Sequence, residues 1–409
     1  MHHSLYKASH IASLEGLRAV AAFGIVATHV AFQTGVDPAT HLGAVLARFD
    51  FFVAVFFALS AFLLWRSYGP GTGRLAGAEG WLTYYSNRLG RIAPAYLAAV
   101  AVVVIFLPEA TTMTGGQVLA NATLTQIYVP NALVSGLTQM WSLCVEVAFY
   151  AVLPLLVAVL SPLGPRARSA VVILLAALSL GWAYLPFVAS TPANGLPNRQ
   201  IWPPAYLCWF AVGIVAAEIE RGRIPWRVRR LMRMRWLWWS AALALAWMAG
   251  QEWFGPLGLE HPTPGEFALR ILAGTGFAAC LLVPYALAPG DDLLATPIAT
   301  ALGRWSYSVF LWHLVVLSAA FPLVGKSYFD GGFLPVFLVT TSASAVVAAC
   351  SYELVEKPGA RVVRRLARWD VERREPTRRE ESADAVGMDS AATATAAAIN
   401  HASAASSPA

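Results

Sequence analysis

The chain has 409 residues, of which 57% are hydrophobic and only 13% are charged. So few charged residues cannot cover the surface of a water-soluble protein of this size. The composition therefore excludes an ordinary soluble enzyme. It predicts an all-α protein that crosses a membrane several times, because long apolar stretches span membranes as helices. The formal net charge of +6 is explained by membrane topology and does not indicate a nucleic-acid partner.

Ten apolar runs are long enough to be predicted as membrane-spanning helices. The sixth and the seventh of them are short. Their approximate limits are 12–34, 49–66, 91–107, 140–160, 169–188, 203–219, 236–251, 267–288, 304–324 and 333–353. The chain is therefore predicted to have about ten transmembrane helices.

The Lys and Arg residues support this division of the chain. If residues 1–11 are cytoplasmic and ten helices follow, all but four of the 29 basic residues fall on the cytoplasmic side. Cytoplasmic loops are enriched in Lys and Arg, so both termini are predicted to be cytoplasmic. The transmembrane domain is predicted to cover residues 12–365. Residues 366–409 become charged and then rich in Ala, Ser and Thr, which predicts a disordered cytoplasmic tail.

The first apolar run carries three ionisable residues, Glu15, Arg18 and His29. At about 100° per residue, Arg18 and His29 lie about 20° apart around a helix, and Glu15 and His29 about 40° apart, so all three share one face. Arg18 and His29 are separated by roughly 16 Å along the axis, about half of a hydrocarbon core. Charges at such depth usually mark a functional cavity. The alternative is a surface pair of Glu15 and Arg18, with His29 at the opposite interface.

Arg88 and Arg91 lie one helical turn apart at the predicted start of the third helix. Two guanidinium groups on one face suit the binding of phosphate groups. Arginines at a cytoplasmic boundary are also expected from topology alone. The residues by themselves leave both interpretations open.

The fourth run places a hydroxyl, a carboxylate and a phenol on one face, because Ser142, Glu146 and Tyr150 follow at steps of four residues. Glu146 cannot stay ionised in an apolar helix without partners. It is either part of a reactive site or a structural partner of an intramembrane arginine. In the ninth run, Ser306 and His313 share a face, with aromatic residues beside them.

These stretches occur in an order that resembles the membrane acyltransferase 3 family. The resemblance rests on Leu-Glu-Gly-Leu-Arg-Ala and Arg-x10-His in the first run, Arg-x-x-Arg before Pro94, and Trp-Ser-Leu-x-x-Glu-x-x-Phe-Tyr-x-x-x-Pro from Trp141 onward. It continues with Ser-Tyr-x-x-x-x-Trp-His ending at His313, and with Glu-Lys-Pro ending at Pro358. It covers residues 12–365. One position departs from the pattern, since Glu15 stands where the family more often has Asp.

The resemblance implies an O-acyltransferase of a bacterial inner or plasma membrane, most often an O-acetyltransferase. The acceptor is expected to be a hydroxyl of a carbohydrate or cell-envelope glycolipid, and membrane lipids surround the protein. A macrolide or another secondary metabolite is the alternative acceptor. A transporter or flippase that uses the same intramembrane charges is the alternative of another class.

The resemblance also implies roles for individual residues. His29 and Arg18 are expected to be the essential pair, with neutral His29 as general base. We expect Glu15 to orient Arg18, and Glu146 to belong to the catalytic group. The sequence leaves open whether an acyl-histidine forms or the alcohol attacks the thioester directly.

The donor is expected to be acyl-CoA, with acetyl-CoA favoured, and no permanently bound cofactor or metal is expected. Arg88 and Arg91 are expected to bind coenzyme A phosphates. The remaining motif residues are expected to bind substrate or support the site; they are Trp141, Ser142, Tyr150, Ser306, Tyr307 and His313.

Overall fold

The computed structural model describes residues 10–367, except for residues 194, 259 and 291. Within this part of the chain the regular structure is helical and no strand occurs, which confirms the prediction of an all-α protein. Residues 368–409, which hold nearly all of the predicted tail, lie outside the described residues, as do residues 1–9.

Fourteen α-helices are formed by the described residues, and short 3₁₀ turns lie between several of them. They are α1 (Ala12–Gln33), α2 (His41–Ala47), α3 (Phe52–Tyr68), α4 (Gly77–Phe106), α5 (Gly115–Ala122), α6 (Trp141–Leu160), α7 (Pro165–Ser179), α8 (Pro186–Ala189), α9 (Leu207–Glu220), α10 (Trp226–Arg233), α11 (Arg235–Ala249), α12 (Pro264–Leu287), α13 (Pro297–Val324) and α14 (Phe333–Ser351). A π-helical turn, Tyr352–Glu356, follows α14, and helix continues to residue 367.

Eight helical segments in the described part of the chain are long and apolar enough to span a membrane. The two short predicted spans form α9, with 14 residues, and α11, with 15 residues. At about 1.5 Å per residue these helices reach only about 21–23 Å, less than a hydrocarbon core of about 30 Å. The described part of the chain thus has eight helical segments of the kind found in a multi-pass membrane protein. The count of ten and the orientation of the termini stay predictions.

The third predicted helix is longer than its apolar run. It begins at Gly77 rather than near residue 91, so Arg88 and Arg91 lie inside α4 and not at its start. The prediction of its start was wrong because apolar length marks only the part of a helix that lies in the membrane. Polar residues extend a helix beyond it where no proline interrupts, and residues 77–93 contain none.

Helix α1 lies at the centre of the fold, where it packs along α13 and also contacts α3 and α14. The close approach of α1 and α13 depends on Gly303, since a Cβ atom there would lie 2.0 Å from the carbonyl oxygen of Glu15. The polar face of α1 is therefore held against α13, not exposed to lipid.

A buried ion cluster joins α3, α7 and α9. The carboxylate of Glu218, whose side chain is 1% exposed, accepts two hydrogen bonds from Arg168, at 3.0 and 3.1 Å, and one from Trp65 Nε1 at 2.6 Å. Arg221 lies 3.6 Å from the same carboxylate and donates to the carbonyl oxygen of Trp65. This cluster fixes the helices that surround α3.

Candidate active site

A basic cavity with a volume of about 330 Å³ opens between α1, α4, α13 and the helix that follows α14. We call it the vestibule. Six cationic and two anionic side chains line it, which gives a formal net charge of +4. Its lining residues are Glu15, Arg18, Asn87, Arg88, Arg91, Arg304, Tyr352, Glu356, Lys357, Ala360 and Arg364. Such a charge balance favours an anionic ligand.

Two arginines of the vestibule have donor groups without a protein partner. Arg18 lies 3.8 Å from Glu15, as the helical spacing predicts, and its side chain is 12% exposed. The Nε atoms of Arg18 and Arg88 are buried and have no hydrogen-bond partner among the described residues. Because buried donors are almost always paired, these two groups are candidates to bind a ligand.

A smaller inner cavity, with a volume of about 50 Å³, adjoins the vestibule. Arg18 and Arg91 line both cavities and therefore mark the passage between them. The other inner-cavity residues are Val53, Phe56, Phe57, Ser60, Ile92, Ser142, Leu143, Glu146, Tyr150, Ser306, Tyr307 and Phe310. The cavity thus combines apolar walls with a small group of hydroxyls, one carboxylate and two guanidinium groups.

The carboxylate of Glu146 is held by two hydroxyl groups. Ser60 and Tyr150 each donate a hydrogen bond to its Oε1 atom, and the Tyr150 hydroxyl also lies 3.2 Å from Ser60 Oγ. Tyr84 in turn donates to the backbone carbonyl of Tyr150 at 2.9 Å. Glu146 shares the cavity with Arg18 and Arg91. This position is compatible with both interpretations of Glu146, as a member of the catalytic group and as a partner of an intramembrane arginine.

The two membrane histidines lie together. The ring centroids of His29 and His313 are 5.2 Å apart, and His313 is fully buried. His313 Nδ1 lies 2.8 Å from the carbonyl oxygen of Phe310. A carbonyl oxygen only accepts, so Nδ1 carries the hydrogen and Nε2 keeps its lone pair in the neutral ring. This Nε2 atom has no hydrogen-bond partner among the described residues.

Phe310 connects the histidine pair with the inner cavity. It lines that cavity, and its ring centroid lies 6.0 Å from that of His313. His29 is not among the lining residues of either cavity described above. The histidine pair therefore adjoins the inner cavity through Phe310.

The remaining motif residues divide into two groups. Ser142 and Ser306 line the inner cavity, as does Tyr307, whose hydroxyl donates to the Ile92 carbonyl at 2.9 Å. Trp141 lies apart from this group, since it packs on Tyr206 with a centroid distance of 5.2 Å. The fold thus brings together every predicted site residue except Trp141 in two adjoining cavities and one histidine pair.

Several lining residues were not predicted from the sequence. Ser60 is one, and the only available signal was a single hydroxyl in an otherwise apolar run. Glu356 is the last residue of the π-helical turn and accepts a hydrogen bond from Ser308 at 3.1 Å. It could have been suspected because π-helical turns often occur at functional sites, but sequence gave no sign of the turn. Arg304, Lys357 and Arg364 were treated only as topology signals.

Metal ligation is not suggested by the described residues. They contain no group of three or more His, Cys, Asp or Glu side chains that could hold a metal ion.

Three relatives illustrate what the chain resembles. Acyltransferase MdmB of Streptomyces mycarofaciens is 27% identical over 395 residues, covering 86% of this chain and 92% of that protein. Nodulation protein 10 of Rhizobium leguminosarum bv. viciae is 24% identical, and the match covers 76% of this chain and 82% of that protein. O-acetyltransferase OatA of Staphylococcus aureus is 23% identical, covering 87% of this chain but only 58% of the longer relative. No solved structure matches the chain.

A family model described as an acyltransferase domain matches residues 11–353. This range contains the histidine pair, the whole lining of the inner cavity and the α1, α4 and α13 parts of the vestibule. The match covers most of the chain and agrees with the order of motifs found in the sequence. The chain therefore belongs to the acyltransferase 3 family, and it is an acyltransferase.

Proposed function

We propose that the protein is a membrane O-acyltransferase that moves an acetyl group from acetyl-CoA to a hydroxyl of a carbohydrate or cell-envelope glycolipid. The observation that carries this proposal is the junction of a basic vestibule with a narrow inner cavity through Arg18 and Arg91. Coenzyme A has the matching shape, with anionic phosphates at one end and a thioester at the end of a thin arm.

The vestibule supports acyl-CoA as the donor. Its volume of about 330 Å³ lies within the range of small-molecule sites, which begins at about 300 Å³. Arg88 and Arg91 lie on one face of α4, so their guanidinium groups suit the pyrophosphate. The free Nε atoms of Arg18 and Arg88 offer further donors to the same phosphates.

The inner cavity supports a short acyl group. Its volume of about 50 Å³ is small, and aromatic side chains, among them Phe56, Phe57 and Phe310, form much of its wall. An acetyl group fits such a space, whereas each added methylene must displace these rings. The relative OatA is an O-acetyltransferase, which supports the same acyl group and an oxygen acceptor.

In the proposed reaction the acceptor hydroxyl meets the thioester beside Phe310, at the end of the inner cavity nearest the histidine pair. There His29 takes the proton of the hydroxyl, and the oxygen bonds to the thioester carbonyl carbon. The carbon–sulfur bond breaks, and the thiolate of coenzyme A receives the proton as it leaves. His313 orients His29, because its own ring is fixed by the contact of Nδ1 with the Phe310 carbonyl. Arg18 contacts the donor at the passage between the two cavities.

The family match supports this enzymatic function over the transporter or flippase alternative. The discriminating experiment measures release of free coenzyme A by purified protein in lipid nanodiscs, with and without extracted glycolipid acceptors. An acyltransferase releases coenzyme A in proportion to the acylated acceptor, and His29→Ala lowers both by about 10²- to 10⁴-fold. A protein that binds acetyl-CoA but never releases coenzyme A with any acceptor would disprove the proposal.

The acceptor is identified by mass spectra of envelope glycolipids and secreted metabolites. Three strains are compared: one lacking the gene, one with wild-type protein restored and one with His29→Ala. We expect one glycolipid to lose an acetyl mass in the deletion strain and regain it only with wild type. The same change in a secreted metabolite instead would contradict the glycolipid acceptor and identify a macrolide or related compound as the substrate.

A further inference from the structure

We propose that the vestibule contains two separate anion subsites, and that the outer one, formed by Arg304, Lys357 and Arg364, binds the 3′-phosphate on the ribose of coenzyme A. The enzyme would thereby select coenzyme A over thioesters that lack this phosphate. The inference rests on the proposed function, because it takes acyl-CoA as the donor.

The six cations of the vestibule fall into two sets by position and burial. Arg18, Arg88 and Arg91 come from α1 and α4 and are partly buried, and two of them also line the inner cavity. Arg304 comes from α13, and Lys357 and Arg364 come from the helix after α14; all three are exposed. One set therefore lies at the passage to the inner cavity and the other towards solvent.

The order of anionic groups in coenzyme A matches this order of cations. From the thioester outward, the molecule has the pantetheine arm, then the pyrophosphate, and then the ribose with its 3′-phosphate. With the acyl group in the inner cavity, the pyrophosphate reaches the partly buried arginines first. The 3′-phosphate then lies farther out, where the exposed cations are.

The outer set is organised to receive an anion. Lys357 and Arg364 are seven residues apart, so they lie on one face of a helix. Within the described residues, Arg304 and Arg364 form no hydrogen bond or ion pair through their side chains, whereas Lys357 pairs with Glu353 at 2.9 Å. Arg304 and Arg364 thus have all their donors available for a dianionic phosphate. A guanidinium group has five N–H donors in a planar fork, which matches the geometry of phosphate oxygens.

The test compares binding of coenzyme A and 3′-dephospho-coenzyme A to the intact protein in nanodiscs by calorimetry. Loss of contacts to a charged group typically weakens binding about tenfold or more, so wild type should prefer coenzyme A by at least that factor. Arg304→Ala and Arg364→Ala should each reduce the preference, and the double variant should bring it close to one. Arg365→Ala, an exposed neighbour that does not line the vestibule, is the matched control and should keep it.

Arg88→Ala separates the two subsites. This variant should weaken the binding of both ligands by the same factor and leave the preference for coenzyme A unchanged, because the effects of independent sites are additive. Equal affinity of wild type for both ligands, or an undiminished preference in the double variant, would overturn the outer subsite while leaving acyl-CoA as the donor. Failure of both ligands to bind would overturn the proposed function as well. Thermal unfolding of each variant verifies that it is folded.

Discussion

His29 on α1 and His313 on α13 place their imidazole rings 5.2 Å apart, at an angle of 39°. The two residues belong to the first and ninth apolar runs, and nothing in their local sequence pairs them. Close packing of α1 and α13, permitted by Gly303, brings them together. His313 is oriented by the Phe310 carbonyl and can in turn restrict the ring of His29. This pair is the basis of the catalytic role that we propose for His29.

Replacement of His29 by Ala or Gln is expected to lower kcat by about 10²- to 10⁴-fold, the usual contribution of a general base. The KM for acetyl-CoA should change little, because His29 lies beyond Phe310 and not in the vestibule. Initial rates of coenzyme A release measure both constants. A variant with kcat within threefold of wild type would exclude His29 as the base.

Phe310→Ala is expected to relax selectivity for the acyl chain. The ring closes the inner cavity against the histidine pair, so its removal creates room for added methylenes. In a hydrophobic pocket one methylene is worth about 10- to 200-fold in selectivity, and we expect the butyryl-to-acetyl ratio of kcat/KM to rise about tenfold or more. Phe106→Ala, at a side chain that is 72% exposed on α4, is the control and should keep the wild-type ratio.

Ser60→Ala tests whether the orientation of Glu146 matters for catalysis. The variant removes one of the two hydroxyl donors to this carboxylate, and hydrogen bonds to charged groups contribute about 1.5–3 kcal/mol. We expect kcat/KM to fall about tenfold or more. Ser179→Ala, at another buried serine, should have wild-type kinetics because Ser179 bonds within its own helix and to Cys208. Equal kinetics of the two variants would show that the hydrogen bond from Ser60 to Glu146 does not contribute to catalysis.

Glu218→Gln is expected to destabilise the protein without a direct effect on the site. It removes the charge that neutralises buried Arg168, and breaking a buried ion pair typically costs about 3–5 kcal/mol. Asp330→Asn, which affects an exposed pair with Lys326 on the surface, should cost less than about 1 kcal/mol. Thermal unfolding followed by Trp fluorescence in detergent measures both variants. A similar Tm for both would contradict the importance of the Glu218 cluster.

The orientation of the chain can be tested with reporter fusions in a bacterial host. The segment from Arg221 to Arg235 holds seven arginines and is predicted to be cytoplasmic, whereas residues 108–139 contain no Lys or Arg and are predicted to lie outside. Alkaline phosphatase, which is active only outside the cytoplasm, should therefore be inactive when fused after Arg230 and active when fused after Gly116. The opposite pattern would reverse the topology and place the vestibule on the outer side.

Local sequence predicted some features of the site and missed others for identifiable reasons. The spacing of Glu15 and Arg18 predicted their ion pair, because side chains three residues apart on a helix are neighbours whatever surrounds them. The same reasoning could not find Ser60, since a single serine in an apolar helix has no pattern. Its role depends on Glu146 and Tyr150, which α6 presents to α3.

The sequence by itself determined that the chain is an all-helical membrane protein with ionisable groups on the inner faces of particular helices. Those properties follow from hydropathy and the helical repeat, which are local and additive. Only the tertiary structure decided that Arg18 and Arg91 join two cavities and that His29 lies against His313. These spatial contacts depend on how the helices pack, and helix packing is set by contacts between residues far apart in the chain.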